Sequence, residues 1–179
     1  MHSLLSDELN NKLSKIKLLA LDVDGVMTNG SVFFTALGDE IKAFNILDGQ
    51  GIKSLLVNQI EVAIITGRSS SLTDKRARDL GIKYITQGRE DKKTALLELC
   101  EKLAISPDQV AYAGDDLPDL SAIKLVNVGF TVPNAHSFIR KHADYCTTLG
   151  GGEGAVREIC DLILCAKGLM DKYYNAYLG

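Results

Sequence analysis

Apolar residues along the chain fall into short continuous runs that alternate with longer stretches of helical period. Ile16, Leu18, Leu19, Ala20 and Leu21 form a run with few polar interruptions, as expected of a strand covered on both faces in a parallel sheet. Gly25 ends it. The stretch GSVFFTALGDEIKAF offers two β-prone runs, 31–35 and 40–44, around a Gly-Asp turn, which predicts a hairpin. From Asp48 onward Ile52, Leu55 and Leu56 recur on one helical face, and EVAIITGR is a second apolar strand running into Thr66, Gly67 and Arg68. A helix over about 69–80, the short strand IKYI, and a helix opening at Lys93 and stopping before Pro107 come next. QVAYAGDD is a third strand with an acidic end. It is followed by a helix, the strand LVNVGF, a short helix beyond Pro133, the segment ADYCT and a last helix over about 153–167.

Strands alternating with helices of this length predict an α/β fold, a doubly wound, mainly parallel Rossmann-like sheet with helices on both faces and a small β-hairpin flap. With 179 residues, 46% of them hydrophobic, the chain fits one domain over 1–179, with the flap at 31–44 and a tail at 150–179 that carries a C-terminal helix. The net charge of −3 and the lack of a long basic run argue against nucleic acid or an anionic membrane as a partner. The opening MHSLLSDELNNKLSKIK has no continuous apolar core, and no run reaches membrane-spanning length, so a soluble cytoplasmic protein is expected. Cys100, Cys146, Cys160 and Cys165 form no C-x-x-C pair and read as buried free thiols. His2, His136 and His142 are scattered and read as surface or structural residues.

The polar residues at strand ends change the picture. Asp22 and Asp24, two apart on a strand, start out on the same side before the chain turns at Gly25. Two carboxylates so placed repel unless a cation neutralises them or one keeps a proton, and both arrangements are typical of active sites. Thr66 ends a second strand. Asp115 and Asp116 end a third, with Asp119 a turn later, and Lys92 stands at the opening of a helix. In doubly wound sheets ligands bind beyond the carboxyl ends of the strands, and all of these residues are predicted to converge there.

In order along the chain, DVDGV, ITG, the lysine of EDKK, and GDDLPD resemble the four motifs of the haloacid dehalogenase-like superfamily of phosphotransferases. The resemblance spans nearly the whole chain. It implies that Asp22 is the nucleophile, Asp24 the general acid and base, Thr66 and Lys92 the phosphate holders, and Asp115 a metal carboxylate. It also implies magnesium bound by Asp22, by Asp115 and by the backbone carbonyl of Asp24, with either Asp116 or Asp119 in support. The residue types suit phosphoryl transfer. At about 4 Å two like unit charges cost on the order of 4 kcal/mol at an effective dielectric near 20, so an aspartate cannot attack an anionic phosphate without compensating cations. Hard oxygen donors suit magnesium better than zinc.

Too few residues separate Asp24 from the next helix, or Thr66 from Lys92, for a large cap domain. GSVFF, GDEIKAFNILDGQGIK, ITGRSS, the stretch from Gly88 to Lys92 and the tail GGGEGAVREICDLIL resemble a capless branch of the superfamily. Its phosphatases act on an eight-carbon keto sugar acid phosphate used for lipopolysaccharide. That resemblance implies a homotetramer in which one subunit's hairpin covers the next one's site. Val32, Phe33, Phe34, Ile41 and Phe44 would then lie in an interface rather than on an exposed hairpin, the other reading being that they pack on their own domain. Gly67, Arg68 and Arg76 are expected to bind substrate oxyanions, with a solvated helix face as the other reading of Arg76. Gly150, Gly151, Gly152 and Gly154 are expected to form either a loop facing the ligand or a plain entry to the last helix. Other readings are a phosphatase for a nine-carbon sugar acid, a phospho-accepting receiver module and a silent assembly module.

Overall fold

The computed structural model describes residues 6–178. Six strands form one sheet: β1 (Leu18–Leu21), β4 (Glu61–Ile65), β5 (Tyr84–Thr86), β6 (Val110–Ala113), β7 (Val128–Thr131) and β8 (Tyr145–Cys146). Their order is β5-β4-β1-β6-β7-β8, and every neighbouring pair is parallel. A separate antiparallel hairpin pairs β2 (Phe33–Phe34) with β3 (Glu40–Ile41). The helices are α1 (Asp7–Ser14), α2 (Ile46–Val57), α3 (Ser71–Leu80), α4 (Lys92–Leu103), α5 (Leu120–Ile123), α6 (Ser137–Arg140), α7 (Ala155–Ala166) and α8 (Met170–Leu178).

The continuous apolar runs split between the two faces with the period of two that a strand imposes. Leu19, Leu21, Val62, Ile64, Ala111 and Ala113 join a core with Ile52 and Leu55 of α2 and Val156, Ile159 and Ile163 of α7. Their neighbours Leu18, Ala20, Ala63, Ile65, Val110 and Tyr112 pack on the other side with Ala95, Leu96 and Cys100 of α4, Ala122 and Ile139. Each large aliphatic side chain buried in this way contributes about 1.5–3 kcal/mol. The centre of the sheet is therefore held from both sides. Leu21 is in register with Ile64 on one flank and Ala113 on the other, so the residues after β1, β4 and β6 emerge on one rim.

Local signals set the helix ends. Asn45 caps α2, its side chain accepting from the Leu47 N–H at 2.8 Å, so that helix begins two residues before the expected Asp48. Asp91 accepts from the Thr94 N–H at 3.2 Å and starts α4 with Lys92 as its first residue. Two helices were not expected from the sequence. The first, α1, is one short segment with few apolar positions, started by the Ser6 hydroxyl accepting from the Leu9 N–H at 3.2 Å. The second, α8, follows a turn at Gly168 (φ 67°), and Gln50 of α2 donates to the hydroxyls of Tyr173 and Tyr177.

The hairpin strands are shorter than the β-prone runs suggested. Val32, Phe33, Phe34, Leu37 and Ile41 are exposed, whereas Phe44 packs against the core with the Arg76 guanidinium 5.6 Å from its ring centre. Cys100 and Cys160 are buried free thiols. Cys146 is exposed and Cys165 half-buried, because β8 is an edge strand and Cys165 lies near the end of α7. His136 caps α6 and His142 stacks on Phe138, while His2 lies outside the described residues. Among the described residues no helix is long and apolar enough to cross a membrane.

Candidate active site

Asp22 is the first residue beyond β1, its N–H still bonded to the Ala113 carbonyl at 3.0 Å, and it is buried. The chain then turns sharply. The Thr28 hydroxyl accepts from the N–H groups of Gly25 and Gly30, both at 3.3 Å, and the Met27 N–H closes on the Val23 carbonyl at 2.9 Å. Gly25 has φ 96°, and a Cβ there would fall 2.0 Å from Asp115 Oδ2, so conformation and space both require glycine. Asp24, between these fixed points, is half-buried.

Lys92 reaches this turn from the start of α4. Its Nζ lies 3.1 Å from Asp22 Oδ1 and 2.6 Å from Asp119 Oδ1, all three side chains being buried. Asp119 is the organiser of the cluster. It accepts from Lys92, from the Tyr112 hydroxyl at 2.7 Å, and from the N–H groups of Asp115 and Asp116 at 3.1 and 3.2 Å. Asp116 is exposed and uses its carboxylate on the Leu117 N–H, outside the cluster. Of the two, Asp119 joins the cluster with Lys92 and Asp116 does not.

Asp22, Asp115 and Asp119 each offer an oxygen within 4.8 Å of the others. Burial, and then the charge of Asp119, push the Asp22 carboxyl up to about 6 against the opposing pull of Lys92. Burial together with Asp22 and Asp119 pushes Asp115 up to about 7. Burial alone would lower the Lys92 ammonium, but Asp22 and Asp119 outweigh it and hold Lys92 above its ordinary value. Three carboxylates against one ammonium leave a net negative charge in a confined space. A cation with hard oxygen preference fits that deficit, and magnesium fits the donor set. Asp24 is not a member of this three-carboxylate group.

The other expected residues divide. Thr66 follows β4, buried, with its N–H on the Thr86 carbonyl at 2.9 Å, and Gly67 continues the same rim. Arg68 places Nε 3.9 Å from Asp24 Oδ2 and bonds Glu40 of the hairpin through Nη2 at 2.8 Å. Arg76 goes elsewhere: its Nη2 donates to the Asn45 carbonyl at 2.8 Å, beneath the start of α2. Gly151 and Gly152 pack against the aspartate turn itself. A Cβ on Gly151 would lie 1.8 Å from the Gly25 carbonyl oxygen, and the Gly152 N–H bonds the Val26 carbonyl at 3.0 Å.

Three contributors were not singled out from the sequence. Tyr112 lies within an apolar strand run, where nothing in the pattern distinguishes its hydroxyl. Asn134 joins the glycine loop to the turn, accepting from the Gly151 N–H at 2.8 Å and donating to the Gly25 carbonyl at 2.9 Å. Lys42, beside β3, turns inward to pair with Asp24 Oδ1. A cavity of about 420 Å³ lined by Asn29, Asn134, Gly150, Gly151 and Glu153 flanks the turn. A larger one of about 500 Å³ lies beside Lys17, Ile60 and Lys167, at the opposite ends of β1 and β4.

A sequence profile of haloacid dehalogenase-like hydrolases matches residues 82–159. The 3-deoxy-D-manno-octulosonate 8-phosphate phosphatase of Escherichia coli K12 is 46% identical over 168 residues, covering 94% of this chain and 89% of its own. The crystal structure of the Moraxella catarrhalis phosphatase of that name, in complex with magnesium, phosphate and KDO, superposes with a TM-score of 0.95. It is 46% identical and covers 97% of this chain and 99% of its own. The cobalt-bound Haemophilus influenzae enzyme gives a TM-score of 0.85 at 40% identity, covering 88% and 92%. Identity of this level over nearly the whole length, together with a six-stranded parallel sheet carrying the acidic cluster and its lysine on one rim, shows that the chain belongs to the haloacid dehalogenase-like hydrolase family.

Proposed function

We propose that this chain is a magnesium-dependent phosphatase that hydrolyses 3-deoxy-D-manno-octulosonate 8-phosphate to the free sugar acid and phosphate, a step towards lipopolysaccharide. One observation carries the chemistry: Lys92 bridges Asp22 and Asp119 inside a three-carboxylate cluster on the strand rim. The substrate follows from relatives of that activity at 46% identity across nearly the whole chain.

Asp22 attacks phosphorus in line with the leaving oxygen and carries the phosphoryl group. Asp24 gives a proton to the departing alkoxide and in the second step takes one from the attacking water. Thr66, the amide of Gly67 and Arg68 receive phosphoryl oxygens, and Lys92 offsets the charge that grows on them. Asp22, Asp115 and the Asp24 carbonyl, supported by Asp119, would hold magnesium, which when bound lowers the repulsion between nucleophile and phosphate.

A chain with no large cap leaves this rim open, and the exposed Val32, Phe33, Phe34 and Ile41 form an apolar surface on the hairpin. We infer a single-domain cytoplasmic protein that assembles as a homotetramer through these hairpins. A phosphate-release screen over sugar phosphates, with and without magnesium, tests the whole reading. Turnover is expected to be fastest on the eight-carbon acid, to stop with chelator and to vanish in Asp22→Asn. A preference for a nine-carbon 9-phosphate would reassign the substrate, and release unaffected by chelation would refute the mechanism.

A further inference from the structure

The hairpin brings a second, unassigned cation to the acid–base residue. Lys42 follows β3, on a flap whose other side chains are largely exposed, yet its own side chain is only 3% exposed. Its Nζ pairs with Asp24 Oδ1 and lies 3.7 Å from Glu40 Oε1. Glu40 in turn bonds Arg68 through Oε1 and accepts from the Ser70 hydroxyl through Oε2 at 3.0 Å. Glu40 on β3 and Lys42 just beyond it thus clasp the hairpin to the rim.

The partners of Asp24 are few. Oδ1 is held by Lys42, whereas Oδ2 is buried with no hydrogen-bond partner among the described residues, Arg68 Nε being 3.9 Å away. An aspartate side chain fixed through one oxygen presents the other in a defined direction, and the free oxygen is the one able to meet a ligand. Asp22 is oriented separately by Lys92. Each carboxylate of the Asp-x-Asp pair therefore has its own lysine.

We propose that Lys42 is a positioning residue for Asp24, aiming its unpaired oxygen at the leaving oxygen of the ester. Because Lys42 reaches Asp24 from the hairpin, the hairpin's seat on the rim is part of that positioning. The inference rests on the phosphatase reading. In the step concerned, the bond from Asp22 to phosphorus forms as the P–O ester bond breaks, and the proton of Asp24 passes to the departing oxygen. An alkyl leaving group needs that proton, whereas p-nitrophenolate leaves without it.

The test compares Lys42→Met, Lys42→Gln and Lys42→Arg with the wild type in full-length protein, on 3-deoxy-D-manno-octulosonate 8-phosphate and p-nitrophenyl phosphate. The readout is kcat/KM, which covers events only through phosphoryl transfer to Asp22. Lys42→Met and Lys42→Gln are expected to lose about 30-fold or more on the sugar phosphate, most of it in kcat, and less than about 3-fold on the aryl ester. Lys42→Arg is expected to regain at least part of the sugar phosphate rate. Equal losses on both esters, or none on either, overturn the proposal, as does loss of folding by circular dichroism in both neutral variants while Lys42→Arg stays folded with no sugar phosphate activity. Should the wild type prefer another alkyl phosphate, the same contrast applies to that ester and only the substrate assignment fails. A wild type that hydrolyses neither class removes the phosphatase reading and this inference together.

Discussion

Replacing Asp119 with alanine should separate the roles of the two acids that follow β6. The carboxylate lost is 1% exposed and receives four hydrogen bonds, from Lys92, Tyr112, Asp115 N–H and Asp116 N–H. Removing one partner of a buried ionic network costs about 3–5 kcal/mol, because the donors left behind stay desolvated. Two features bring the expected figure to the low end. Lys92 keeps Asp22 at 3.1 Å, and loss of the Asp119 charge relieves a repulsion that raises both Asp22 and Asp115. A cost of about 3 kcal/mol lowers the melting temperature by roughly 6–12 °C for a chain of this size. Turnover should fall about 100-fold or more, since Lys92 loses its second anchor and the cation site a carboxylate, and magnesium affinity measured by calorimetry should fall with it. Asp116→Ala removes only an exposed cap and should stay within about 1 kcal/mol of the wild type with near-normal turnover. Asp119→Ala with unchanged melting, magnesium binding and phosphate release, or Asp116→Ala with the larger losses, would refute this account of the cluster.

Gly151→Ala forces a methyl into the Gly25 carbonyl, 1.8 Å from the ideal Cβ, and should lower kcat at least about 10-fold by displacing the turn; a rise in KM alone would instead mark Gly151 as a ligand contact. Asp48 is buried with one oxygen on the Arg157 N–H at 2.8 Å, and burial raises its carboxyl to about 6 from the ordinary 3.8. The folded state therefore holds the proton more tightly than the unfolded chain, so the contribution of Asp48 to stability falls as pH rises from about 4 to about 6, by about 3 kcal/mol. Denaturant titrations at both ends of that window should show the decline in the wild type exceeding that in Asp48→Asn, and equal declines would exclude the assignment. Phe33→Ser with Phe34→Ser should yield smaller assemblies by light scattering and raise KM for the sugar phosphate more than for p-nitrophenyl phosphate; fully active monomers would remove the hairpin from recognition.

The central strands were legible because parallel strands buried on both faces leave few polar residues in their runs, and those that occur at the ends stand out. Asp22, Thr66 and Asp115 follow β1, β4 and β6 for that reason. Terminal elements were not. The helix α1 carries too few apolar residues to show a period, and α8 depends on contacts such as Gln50 with Tyr173 and Tyr177, partners more than 120 residues apart. Arg76 illustrates a further limit. The sequence leaves it between an oxyanion contact and a solvated helix face, whereas its guanidinium meets the Asn45 carbonyl and the Phe44 ring, contacts that packing sets and no local pattern announces.

The site itself shows the same division between what a strand end announces and what tertiary contact adds. Motif spacing locates charges but not their pairing: Asp119 rather than Asp116 enters the cluster because the 3-10 turn after Gly114 folds its carboxylate back onto two N–H groups, onto Lys92 and onto Tyr112. The glycines at 151 and 152 read from the sequence as either a ligand-facing loop or a plain entry to the last helix, and neither reading contained the close approach of Gly151 to Gly25, which packs them against the aspartate turn. Fixing that turn has a chemical consequence. With Asp22 held by Lys92 and the backbone just after Asp24 clamped by Thr28, Asn134 and Gly152, the one further hydrogen bond to the Asp24 side chain comes from Lys42 at the hairpin, so among the described residues the direction of that carboxylate is set by a contact between two separate parts of the fold.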